Sequence, residues 1–84
     1  MISRTQAQFW ECYNALPGDI QRIAKEKYAL WEQDCFHPSL HFKPFKENFW
    51  SARVGDHYRV VGYHRDRNTF VWTWIGTHEE YNKF

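Results

Sequence analysis

The 84-residue chain carries eleven Lys and Arg against ten Asp and Glu, and one residue in five is aromatic. That length supports one core and not two, because so short a chain buries only about 60–65% of its unfolded surface, so residues 1–84 are expected to form a single domain. Near-neutral charge excludes a protein that binds polyanions by bulk attraction, and no run approaches the ~18 consecutive apolar residues of a membrane helix.

The start, MISRTQAQFW, lacks the apolar centre of a signal peptide, and Cys12 and Cys35 make neither a disulfide framework nor a metal-type spacing. A cytoplasmic protein without membrane contact is expected. In chain order, Thr5 with Gln8 has the form of a capping box and opens Phe9, Trp10, Tyr13 and Leu16 at helical spacing. Pro17-Gly18-Asp19 breaks that helix and starts a second, through Asp34, whose apolar stripe is Ile20, Ile23, Ala24, Tyr28 and Trp31. Residues 35–44 carry two prolines and read as a loop with a short extended piece at Leu40 to Lys43.

From there the period changes to that of strands. NFWSARV, HYRVVGYH and TFVWTWIG are rich in Val, Thr and aromatic residues, and Gly55-Asp56 and Arg65-Asp66-Arg67-Asn68 between them suit tight turns. Strands joined so closely must be antiparallel. TFVWTWI is apolar at nearly every position and belongs in the sheet centre. The expected fold class is α+β: an N-terminal helical hairpin packed on a twisted antiparallel sheet of three to four strands.

Charge is uneven along this chain. Between His41 and Arg67 the bases Lys43, Lys46, Arg53, Arg59, Arg65 and Arg67 outnumber Glu47, Asp56 and Asp66. His37 and His41 have helical ligand spacing, but Pro38 between them opposes a helix and no third ligand follows, so no metal is expected. No GxSxG elbow and no glycine-rich phosphate loop occurs. His57 and His64 are expected to be solvated or hydrogen-bonded, and Glu79-Glu80 to solvate an exposed tail.

There remain Arg53 and Arg59 on neighbouring strands, with His78 and Tyr81 beyond the third. Two guanidiniums, an imidazole and a phenol on one sheet face suit metal-free cleavage of an RNA phosphodiester. The 2′-hydroxyl must lose a proton, the pentavalent phosphate gains charge, and the leaving 5′-oxygen must gain a proton. Gly76 would mark the point where the backbone leaves the strand and turns His78 toward that face. The alternative is that Arg53 and Arg59 face solvent, paired with Asp56 or Asp66, while Tyr81 folds back over the helices as a lid.

The order helix, helix, three antiparallel strands, together with FHPSLHFK, the segment SARVGDHYR (Ser51 to Arg59) and the ending IGTHEEY (Ile75 to Tyr81), resembles the RelE/ParE superfamily of toxins from bacterial type II toxin–antitoxin systems. For the RelE branch the resemblance implies a ribonuclease that cuts mRNA in the ribosomal A site, inhibiting translation, with no metal or other cofactor. It assigns Arg59 and Arg53 to the phosphate, His78 to proton donation and Tyr81 to the 2′-hydroxyl, with Lys43 and Lys46 as accessory RNA contacts, and it implies a cognate antitoxin as partner. The ParE branch implies instead a non-enzymatic inhibitor of DNA gyrase, and a third reading is a non-toxic antitoxin-binding module. Family members begin with an edge strand; here at most Met1 to Arg4 precede the helix cap, so that strand is expected to be a stub or absent.

Overall fold

The computed structural model describes residues 1–84. Strand β1 (Ile2–Thr5) leads into helix α1 (Ala7–Asn14), and α2 (Gly18–Gln33) follows across Pro17. After a 3-10 turn at Pro38–Leu40 the chain forms β2 (Lys43–Lys46), β3 (Phe49–Val54), β4 (Tyr58–Asp66), β5 (Thr69–Thr77) and the one-turn helix α3 (His78–Tyr81). The five strands make one sheet in the order β1-β5-β4-β3-β2. No helix is long and apolar enough to cross a membrane.

The three long strands are antiparallel neighbours, as their short connections require. The sheet exceeds the expected three to four strands because each edge gains a short strand. β2 pairs antiparallel with β3, while β1 runs parallel to β5, Ile2 opposite Thr69 and Thr5 opposite Trp72. The stub is therefore real and holds its place through a partner more than sixty residues away.

That pairing also overturns the expected capping box. Thr5 still lies in extended backbone, so the helix begins beyond it with Gln6 at the cap and no side-chain cap bond. Thr5 Oγ1 accepts instead from Trp10 Nε1 at 2.8 Å, and Gln8 Nε2 donates to the Thr73 carbonyl at 3.2 Å, tying α1 to the sheet. α1 packs on β5 and α2 on β3. Between and beneath them lies an aromatic core centred on Trp31, whose ring meets Trp72 at 5.1 Å, Phe70 at 5.5 Å and Phe42 at 5.8 Å. His64, expected to be solvated or hydrogen-bonded, is exposed but sets its ring edge-on to Phe70 at 4.9 Å.

A bulge in β5 decides which aromatics join that core. Val61 pairs with Trp74 but the next residue, Gly62, pairs with Trp72, leaving Thr73 as the extra residue, its hydroxyl donating to the Val61 carbonyl at 3.2 Å. Without it, Trp72 and Trp74 would share a face. With it, Trp72 and Ile75 enter the core beneath the helices, and Trp74 turns to the opposite side.

Candidate active site

The face away from the helices is built by period-two alternation. Phe49, Ser51 and Arg53 line it from β3, Arg59, Val61 and Tyr63 from β4, while their neighbours Ala52, Val54 and Val60 fill the core. Arg53 and Arg59 stand directly opposite each other in the ladder. At such a pair the Cβ atoms are about 5 Å apart, and like charges there oppose folding. Both side chains are half-buried.

Burial first, and the charge of Arg53 second, hold the Arg59 pKa below its ordinary value; Tyr81 and, most weakly, Asp56 act the other way. The pairing of Arg59 with Asp56 that sequence left open is thus a minor influence. Arg59 Nη1 donates to the carbonyl of Tyr58 at 2.8 Å, whereas Arg53 Nε is buried with no partner in the protein. Two adjacent guanidiniums with unspent donors form a fork suited to phosphate.

Tyr81 does not fold back over the helices. Its hydroxyl is 3.0 Å from Ser51 Oγ, and its ring stacks on Phe45 at 4.7 Å, so it reaches from α3 across to β3 and β2 on the arginine side. Ser51, two residues before Arg53, shares its face and is 2% exposed. His78 opens α3, exposed, with its ring centroid 6.1 Å from that of Tyr81. Its backbone N–H donates to the His57 carbonyl at 2.7 Å, which anchors the helix start to the β3–β4 turn.

The turn into α3 depends on Thr77 and Glu80. Thr77 Oγ1 accepts from the Glu80 N–H, and Glu80 Oε1 accepts from the Thr77 N–H at 3.1 Å and hydroxyl at 3.0 Å: a capping box, formed here and not at Thr5. Those bonds lower the Glu80 pKa. Glu80 is therefore a structural residue, not merely a solvating one. Gly76 also changes role, since it is still inside β5, opposite Arg59, and the strand ends one residue later. A Cβ at Gly76 would lie 2.4 Å from the Trp74 ring and 2.9 Å from Glu80 Oε1, so glycine leaves room for both.

Lys43 lies opposite Ser51 and Lys46 opposite Phe49, which places both on the same face at its exposed edge. His37 Nδ1 accepts from the Ser39 N–H at 3.2 Å, within the 3-10 turn, and His41 leaves that turn in left-handed backbone. No group of three or more His, Cys, Asp or Glu side chains comes together anywhere in the chain. Sequence reasoning missed the aromatic shelf beside the arginines, where Phe84 meets Trp74 at 4.8 Å and Phe45 at 5.9 Å. Next to it lies a hollow of about 360 Å³ bordered by Phe49, Tyr63, Gln6 and Gln8. Ser51 could have been found from its spacing to Arg53; Trp74 could not, because its side depends on the bulge.

Comparison with known proteins agrees with this geometry. The RelB–RelE antitoxin–toxin complex from Methanococcus jannaschii superposes with a TM-score of 0.74 at 19% identity, covering 96% of this chain and 98% of that one. The RelBE2 toxin–antitoxin complex from Mycobacterium tuberculosis gives 0.73 at 20% identity, over 92% and 90%. A YoeB/ParE toxin from Agrobacterium tumefaciens gives 0.71 at 14% identity, over 93% and 99%. At such identities the likeness is one of fold. No curated protein sequence is significantly similar. The family model for the ParE-like toxin domain, however, matches residues 19–83, and the chain therefore belongs to the ParE-like toxin domain family.

Proposed function

We propose that this toxin is a metal-independent endoribonuclease that cuts mRNA on the ribosome in the cytoplasm, restrained by a cognate antitoxin. The observation that carries the reading is the direct cross-strand pairing of Arg53 and Arg59 with Tyr81 drawn onto the same face. Two like charges so placed disfavour the folded state, and a phosphate between them reverses that cost. In this mechanism the arginine fork holds the scissile phosphate and the charge it gains. Tyr81, fixed by Ser51 and Phe45, positions the attacking 2′-hydroxyl, whose proton passes to water as the 2′-oxygen–phosphorus bond forms, and His78 protonates the 5′-oxygen as its bond to phosphorus breaks. The aromatic shelf of Phe45, Trp74 and Phe84 suits stacking of the flanking bases, with Lys43 and Lys46 on the outer phosphates. An antitoxin is supported by the two RelB–RelE-type complexes among the similar structures.

The test is mRNA cleavage with purified ribosomes, mapped by primer extension. Wild-type protein should cut, and Arg59→Ala and His78→Ala should each lose at least about a hundredfold in rate. Intact mRNA and unimpaired translation at stoichiometric protein would sink the proposal. The ParE-like family assignment favours a second reading, non-enzymatic inhibition of DNA gyrase. Inhibition of supercoiling that survives His78→Ala would establish it.

A further inference from the structure

On the other side of the sheet, between the two helices, lies a second opening of about 360 Å³. It exists because α1 sits on β5 and α2 on β3, leaving the sheet between them thinly covered. Its floor and walls are apolar, formed chiefly by Phe9, Tyr13, Trp31, Val60, Trp72 and Ile75. Every charged side chain on this side of its wall is a cation, namely Arg4, Lys25 and Lys27. Trp31 is 4% exposed, yet its indole N–H has no partner in the protein. It is one of two buried side-chain donors in the chain without an acceptor; the other, Arg53 Nε, belongs to the opposite face of the sheet.

A buried N–H without an acceptor opposes folding, and one beside an apolar opening rimmed by cations calls for an anionic acceptor there. The volume falls in the lower part of the range for small-molecule sites, roughly 300–1,000 Å³. We infer that the groove between α1 and α2 is a binding site for a small amphiphilic carboxylate, an alkyl or aryl acid whose apolar body lies against the core and whose anionic head meets the Trp31 N–H and these cations. Neutral alcohols of equal length satisfy one donor but not the charge, and amines are repelled. The site is independent of RNA cleavage and lies on the face of the sheet opposite the proposed active site.

The experiment titrates the full chain with decanoate, decanol and decylamine, read by tryptophan fluorescence and by calorimetry. Decanoate should bind saturably at one per chain, with decanol at least about fivefold and decylamine at least about tenfold weaker. Joint reversal of Arg4→Glu and Lys25→Glu, both exposed, should weaken decanoate about tenfold while leaving the melting temperature near that of the wild type. Ala24→Trp, which fills the opening from α2, should abolish binding in a protein whose circular dichroism shows it folded. Trp31→Phe keeps an aromatic ring but removes the N–H, and should cost about fivefold. Equal affinity for decylamine, indifference to the charge reversal, or absence of saturable decanoate binding up to millimolar concentration would each overturn the assignment.

Discussion

The contact between Tyr81 and Ser51 admits a sharp test because its two ends differ in burial. Ser51 is 2% exposed and its hydroxyl has no other side-chain partner, whereas Tyr81 is half-buried and its hydroxyl can turn to water. Tyr81→Phe keeps the ring on Phe45 but strands the serine hydroxyl, a desolvated group whose loss of partner costs about 2 kcal/mol. In a domain of this size that lowers the melting temperature by roughly 8–16 °C. Ser51→Ala strands nothing, and should cost only about 0.5–1 kcal/mol. Since removing both polar ends at once leaves no orphan, the double variant should be more stable than Tyr81→Phe alone, by about 1 kcal/mol. Urea denaturation of the four proteins, followed by tryptophan fluorescence, completes the cycle. A double variant as unstable as, or less stable than, Tyr81→Phe would show that this hydrogen bond does not hold the tyrosine in place. Cleavage separates positioning from chemistry: Tyr81→Phe should lose about 10²–10⁴-fold if the hydroxyl takes part in proton transfer, and Ser51→Ala far less. Equal losses would reduce the tyrosine hydroxyl to a structural tether.

Gly76→Ala sets a methyl 2.4 Å from the Trp74 ring and 2.9 Å from Glu80 Oε1, so it should destabilise by about 1–3 kcal/mol and dislodge α3, seen as a lower urea midpoint and shifted Tyr81 resonances. Arg53→Gln relieves the charge opposite Arg59 and should raise the melting temperature while weakening RNA binding and flattening its salt dependence; a destabilised variant would refute the repulsion argument. Glu80 has a folded pKa below its unfolded value through its bonds to Thr77, so its contribution to α3 is present above the unfolded pKa and fades as pH falls through the folded one. The protection of the Asn82 amide, which donates to the His78 carbonyl, should therefore fall on acidification when measured against its intrinsic exchange rate, and Glu80→Gln should remove most of that dependence.

Local signals were legible wherever a single element carried them. The helices on either side of Pro17, the turns at Gly55 and Asp66, and the burial of TFVWTWI follow from breakers and periodicity, and alternation alone puts Ser51 and Arg53 on one face. What escaped depended on distant partners. β1 is only four residues long and its identity comes from pairing with β5. Thr5 misled because a capping pattern describes a helix start only if the backbone there is free to leave the strand. Glu80 was hidden for the converse reason, since its value as a cap appears only once α3 is known to begin at His78. Trp72 and Trp74 look equivalent in a run of apolar residues, and a one-residue bulge sends them to opposite sides.

β5 touches both ends of the polypeptide: it is the sole sheet neighbour of β1, the bed of α1, and the element from which α3 departs. On a ribosome, β1 and α1 must therefore wait for residues 69–77 before they have anything to lie against. The first and last parts of the chain then close together, after a long search that makes assembly slow relative to a helical protein of equal size. A nascent chain stopped within β4 holds two of the proposed catalytic residues, Arg53 and Arg59, but neither His78 nor Tyr81 nor the strand that would support them. The proposed site is thus armed only once α3 has been made, which gives a partner released nearby the synthesis of all the preceding strands as time to be waiting.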